Sequence, residues 1–182
     1  MATDRSIHLW KRELRLQMKR RLRDIPPERY EAKSAEICAK VSNNFTNIHI
    51  VAAFASSRFE PSLETLWSQG FFPRRVVLYP KIHGNSLVFC PVASGKELRP
   101  GQFGILEPVQ APARLSPDVI LVPGLAFNKE GHRLGRGAGF YDRFLGASPP
   151  GIIKAGICFD FQVVPELPAE PHDVQMDLVI TG

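Results

Sequence analysis

From Trp10 to Ile25 the apolar residues Trp10, Leu14, Met18, Leu22 and Ile25 recur every three or four positions, the stripe of an amphipathic helix with one packed face. The other faces carry Lys11, Arg12, Arg15, Lys19, Arg20, Arg21 and Arg23, so the same element also presents a dense cationic surface. Pro26-Pro27 ends it, because proline offers no N–H and disfavours helix in the residue before it. Pro27 then suits the first turn of a second helix, running through Tyr30, Ala35, Ile37, Cys38 and Val41 to the turn-forming Ser42-Asn43-Asn44.

Beyond this helical pair, short apolar runs alternate with polar or glycine-bearing segments. The runs at 48–55, 75–80, 87–92, 118–123 and 152–159 and the closing MDLVITG at 176–182 read as strands, with helices near 61–69 and 139–146. This alternation predicts an α/β fold: a mostly parallel, Rossmann-like sheet flanked by helices, preceded by the helical pair. A chain of 182 residues with scattered glycines and prolines offers no obvious place to divide, and a single domain over 1–182 is expected.

Composition narrows the function classes. The longest apolar runs, VILVPGLAF at 119–127 and GIIKAGICF at 151–159, are too short to span a bilayer, so a soluble protein without a membrane role is expected. Cys38, Cys90 and Cys158 are odd in number and lack CxxC spacing, which predicts reduced, packed thiols and neither disulfides nor zinc. The basic N-terminus superficially suits a transit peptide, but the packed helix accounts for it, and a cytoplasmic location is expected. A net charge of +5 favours anionic partners without choosing among nucleic acid, membrane surface and polyanionic metabolites.

The connection from Val122 to Leu145 holds most of the candidate chemistry, since a long charged loop in a compact domain usually has a function. Gly135, Gly137 and Gly139 alternate with Arg136 and Ala138, and Phe140-Tyr141-Asp142-Arg143 then opens a helix. Glycines allow close backbone approach and a helix start offers free N–H groups, so phosphate could be held here; a flexible turn fits the spacing equally well. No Gly-Lys-Ser/Thr follows, and Phe140 takes the last glycine position of GxGxxG, so neither a Walker A loop nor a dinucleotide fingerprint is present. Asp142, in the first helical turn, suits metal binding or simple stabilisation of the helix dipole.

Lys11, Arg12 and Arg15 lie within about one helical turn, where cations can converge on a triphosphate or form a solvated basic face. Few aromatic residues interleave with these charges, which disfavours single-stranded nucleic acid. Glu60 follows FASSRF at the end of the first predicted strand, where α/β sheets collect ligand-binding residues. The histidines show no metal-ligand spacing, and no Ser/His/Asp triad is legible.

With these residues assembled, the chain resembles the 5-formyltetrahydrofolate cyclo-ligase family over nearly its whole length. The most specific piece is PGLAFNKEGHRLGRGAGFYDRFL at 123–145, supported in order by KRELR at 11–15, the strand leading to Glu60, YPK at 79–81, FGILEP at 103–108 and LPAEPHDVQMDLVIT at 167–181. The resemblance implies an ATP-dependent, Mg2+-requiring ligase that closes 5-formyltetrahydrofolate, with or without a polyglutamate tail, to 5,10-methenyltetrahydrofolate, acting as a monomer without nucleic acid. It implies ATP contacts from Lys11, Arg12, Arg15 and the loop Arg133, Gly135, Arg136, Gly137, Ala138, Gly139, Phe140 and Tyr141. By the same resemblance Arg15, Phe54, Glu60 and Tyr141 contact the folate, Asp142 and Asp173 hold the metal, and Lys11, Arg136 and Tyr141 serve catalysis. Three positions depart from the family's usual residues: Asn128 stands for Asp, Phe140 for Tyr and Ala138 for Gly or Lys. EPSLE at 60–64 also lacks the usual threonine three residues after the glutamate. The alternative is a basic nucleic-acid-binding or regulatory protein that keeps the fold without the activity.

Overall fold

A computed structural model describes residues 4–182. Helices α1 (Asp4–Arg23) and α2 (Pro27–Asn44) form the expected pair, with Pro27 in the first turn of α2. They precede a six-stranded sheet built from β1 (Ile50–Ala52), β2 (Val76–His83), β3 (Ser86–Pro91), β6 (Val119–Pro123), β9 (Ile153–Cys158) and β10 (Leu178–Thr181). The order is β10-β9-β6-β1-β2-β3, parallel throughout except for the β2–β3 hairpin at one edge. The expected mostly parallel α/β sheet is therefore present.

The central strands are buried on both sides, and their alternating residues serve two cores. Val51, Val77, Val119, Leu121 and Ile157 pack with Leu14, Met18 and Leu22 of α1 and Ile37 and Val41 of α2. Ala52, Leu78, Ile120 and Val122 face the other way, toward Phe127 and Leu145 of α4 (Phe140–Gly146). Period-two alternation with apolar residues at every position is the signature of a sheet covered on both faces.

Several boundaries differ from the sequence reading. Trp10, placed in the apolar stripe, is 40% exposed, and Lys11 takes the buried position beside Leu14 instead. The helix expected over 61–69 shrinks to α3 (Thr65–Ser68), because side chains engage the backbone just before it. Ser62 N–H donates to Ser34 Oγ, Leu63 N–H to Ser56 Oγ, and the Ser56 hydroxyl to the Pro61 carbonyl. Only Ile50–Ala52 of the run 48–55 joins the sheet. Two small ladders were not foreseen, β4 (Leu98–Pro100) with β5 (Leu106–Pro108) and β7 (Ala126–Phe127) with β8 (Arg133–Leu134).

The second ladder changes the reading of the long connection. Its turn is closed by Asn128, whose Oδ1 accepts the His132 N–H at 2.8 Å while its carbonyl accepts the Gly131 N–H at 3.1 Å. The loop is thus a pinned hairpin followed by a short irregular glycine segment, 135–139.

Candidate active site

Strand β1 leads to β2 on one side and β6 to β9 on the other, so the carboxyl ends of β1 and β6 flank a switch in chain direction. Such crevices are where parallel α/β sheets collect ligands. A cavity of about 550 Å³ opens there, bounded by Phe54 and Glu60 after β1, Pro123 and Gly124 after β6, α1, and the glycine segment. Among the described residues four Lys or Arg side chains and five carboxylates line it.

Lys11 projects from the buried face of α1. Its Nζ lies 2.6 Å from Glu170 Oε2 and 2.6 Å from Asp173 Oδ2, joining the first helix to a turn near the end of the chain. That turn is held by Glu170 N–H to Asp173 Oδ2 and Asp173 N–H to the Glu170 carbonyl. The bond from Lys11 draws the Glu170 carboxyl below its ordinary range; for Asp173, burial pushes upward but is outweighed by the same lysine and the Glu170 N–H. One turn on, Arg15 Nε donates to the Gly135 carbonyl at 3.0 Å, so α1 also braces the glycine segment.

Across the cavity Arg136 Nη2 meets Glu60 Oε1 at 2.8 Å and also bonds the Ser57 hydroxyl. The other Glu60 oxygen accepts the Ser57 N–H at 2.9 Å, which satisfies a buried carboxylate from two sides. Arg133, 4% exposed, donates from Nη2 to Asp142 Oδ1 at 2.8 Å and from Nη1 to the Pro123 carbonyl, with its guanidinium 5.5 Å from the Tyr141 ring centre. Burial, with the nearby Glu60 charge, pushes the Tyr141 phenol well above its ordinary value, so this hydroxyl is a hydrogen-bond donor and not a base at neutral pH.

The expected site residues mostly converge. Lys11, Arg15, Phe54, Glu60, Arg133, Gly135 through Tyr141, Asp142 and Asp173 all line the one cavity. Arg12 does not: it lies on the exposed side of α1, because a helix separates adjacent residues by about 100° and Lys11 holds the inward position. The helix after the glycines spans only Phe140–Gly146, too short for its dipole to attract a ligand strongly, so any anion held there depends on the loop amides. Among the described residues, no backbone N–H of 135–139 donates to another protein group.

Sequence reading missed several wall residues. Glu170 had no signal beyond its place in LPAEPHD, since its partner is 159 positions away. Ser57 supports Glu60, Pro80, Ile82, Leu87 and Ile105 supply the apolar end of the cavity, and Glu107 adds a carboxylate to its wall. YPK and FGILEP had flagged the two segments that carry some of them.

The sequence model of the 5-formyltetrahydrofolate cyclo-ligase family matches residues 7–182. The chain is 34% identical to the 5-formyltetrahydrofolate cyclo-ligase of Mycolicibacterium smegmatis, over 94% of this chain and 93% of that one. It is 31% identical to the protein of the same name from Escherichia coli strain K12, covering 90% and 96%. Among solved structures it is similar to the 5,10-methenyltetrahydrofolate synthetase of Aquifex aeolicus, with a TM-score of 0.82 and 31% identity over 94% of this chain and 89% of that one.

Proposed function

The chain belongs to the 5-formyltetrahydrofolate cyclo-ligase family, and we propose that it closes 5-formyltetrahydrofolate to 5,10-methenyltetrahydrofolate with ATP and Mg2+ in the cavity described above. The observation that carries this reading is the crevice in which the glycine segment, whose amides donate to no protein group among the described residues, faces Glu60 and an apolar wall. The first suits phosphates and the second a flat, donor-rich heterocycle. The reading takes 1–182 as one domain acting as a cytoplasmic monomer on the folate, polyglutamylated or not, without nucleic acid or membrane. It is supported by the central six-stranded sheet, against whose two faces both cores pack, and by the lack, among the described residues, of any helix long and apolar enough to cross a membrane.

An N-formyl amide is a poor electrophile and its oxygen a poor leaving group. In the proposed reaction that oxygen takes the γ-phosphoryl group, N10 of the same molecule attacks the formyl carbon and loses its proton, and the oxygen departs with phosphate, leaving ADP. Because the nucleophile is already in the substrate, the chain's own work is alignment and charge neutralisation. Glu60 would orient the pterin from β1, the apolar wall would exclude water, and Lys11, Arg15, Arg133, Arg136 and the loop amides would hold the phosphates. Tyr141, locked in its protonated form, would donate and not abstract a proton.

The donor set also fits a divalent cation. Among the described residues Lys11, Arg133 and Arg136 are each paired with a carboxylate, so part of their charge is already offset and a divalent cation would add neutralisation for a triphosphate. Asp142 gives only Oδ1 to Arg133 and keeps Oδ2 for a cation; Asp173, tied to Lys11, is the weaker donor. Magnesium, when bound, supplies neutralisation of the charge on the transferred phosphoryl group.

Purified protein with Mg2+, ATP and 5-formyltetrahydrofolate should yield the near-ultraviolet absorbance of the methenyl product. Asp142→Ala should abolish turnover and, by leaving the buried Arg133 guanidinium without its carboxylate, should also cost about 2 kcal/mol of stability, well above the scale of a helix-dipole contact alone. A stable, fully active variant would remove the metal role, and a wild type that formed no ATP-dependent product but bound RNA tightly would favour the non-enzymatic alternative.

A further inference from the structure

Arg143 sits in α4 but reaches back to the loop before its own helix. Its Nη2 donates to the Ala138 carbonyl at 2.9 Å, and its Nε to the Asn85 carbonyl, in the turn between β2 and β3, at 2.9 Å. The guanidinium carbon is 5.2 Å from the Phe140 ring centre. Gly139 adopts a left-handed φ of 67°, and a Cβ there would stand 2.7 Å from Arg143 Nη1, so the guanidinium occupies room that glycine leaves open.

In a trans peptide the carbonyl oxygen and the following N–H point in opposite directions. Fixing the Ala138 oxygen on Arg143 therefore turns the Gly139 N–H away from Arg143. That N–H donates to no protein group among the described residues. Ala138 and Gly139 line the cavity, whereas Arg143 stands outside it.

We propose that Arg143 is a positioning residue, which aims the Gly139 N–H at the nucleotide's phosphates by holding the Ala138 carbonyl back and anchors that hold on the β2–β3 turn. The inference rests on the phosphate reading of the glycine segment. An unbraced glycine segment must be ordered when the ligand binds, which lowers affinity; a braced one is ordered beforehand.

The test is calorimetric titration of the full chain with ADP, alongside steady-state kinetics and thermal unfolding. Arg143→Met keeps an unbranched side chain of similar length and removes the guanidinium with both donors. It should weaken ADP binding and raise the KM for ATP about tenfold, the scale on which outer supports of a bound group act, with the KM for 5-formyltetrahydrofolate and the Tm nearly unchanged. Arg143→Lys should fail to restore ADP affinity, because an ammonium lacks the planar fork that spans two carbonyls. Wild type that binds ADP with Arg143→Met binding it equally would overturn the role of Arg143 alone. Parallel rises in both KM values with a lowered Tm would reduce Arg143 to scaffolding and overturn it too, as would full rescue by lysine. A wild type that bound no ADP would remove the phosphate reading of the loop, and this inference with it.

Discussion

Replacing Lys11 with alanine would test the union of the two chain ends at the cavity. In the intact protein the lysine is 5% exposed, and its Nζ is shared by two carboxylates that retain 15% and 14% exposure. Truncation leaves Glu170 and Asp173 facing each other without a cation. Removing one member of a fully buried pair costs roughly 3–5 kcal/mol, and partial solvent access at the cavity rim reduces this to about 2 kcal/mol. For a chain of this size that corresponds to a fall in Tm of about 4–8 °C at neutral pH. Both carboxyl groups are held below their ordinary values of 4.5 and 3.8, so the stability they contribute exists above those values and is lost as pH falls through the lower folded ones. The variant behaves oppositely, since protonation relieves its uncompensated pair. Thermal unfolding of both proteins between about pH 3 and pH 8 should therefore give the widest gap in Tm at neutral pH and a narrowing one below about pH 4. A gap that persisted unchanged at pH 3, or that was absent at pH 7, would refute the pairing. At pH 7 the variant should also raise the KM for ATP more than that for the folate; equal effects would argue against a phosphate contact.

Glu60→Gln should raise the KM for 5-formyltetrahydrofolate by about tenfold or more while changing that for ATP less, because the lost charge is the one proposed to orient the pterin; a larger effect on ATP would mean that Glu60 acts mainly through Arg136. Gly156→Ala tests the core beneath the site: a Cβ would lie 2.5 Å from the Phe127 ring, which is itself fully buried. The expected cost is about 1–3 kcal/mol in chemical denaturation, partly recovered in a Gly156→Ala, Phe127→Leu double variant. An unchanged midpoint would show that the ring has room to move.

Much of this molecule was legible in its sequence, and the reasons are local. The period of α1, the Pro26-Pro27 break and the runs of Val, Ile and Leu at β1, β6 and β9 report secondary structure, because burial on one helix face or both sheet faces imposes a repeat on neighbouring residues. The glycine segment was legible for a different local reason, the backbone freedom of glycine, and Gly137 and Gly139 do adopt positive φ. The two-residue strands of β7 and β8 were not, since their pairing depends on the single Asn128 turn and leaves no period to detect.

What the tertiary structure alone decided is which charges face which. The sequence predicted convergent cations on α1, but it could not say that Lys11 is held between Glu170 and Asp173, which the fold brings from the other end of the chain, while Arg12 remains in solvent. Nor could it say that Arg136 closes on Glu60, or Arg133 on Asp142. Repeats in a sequence record the solvent boundary that each short segment meets. Ion pairs between distant residues leave no such record, because their geometry exists only once the sheet has brought the segments together.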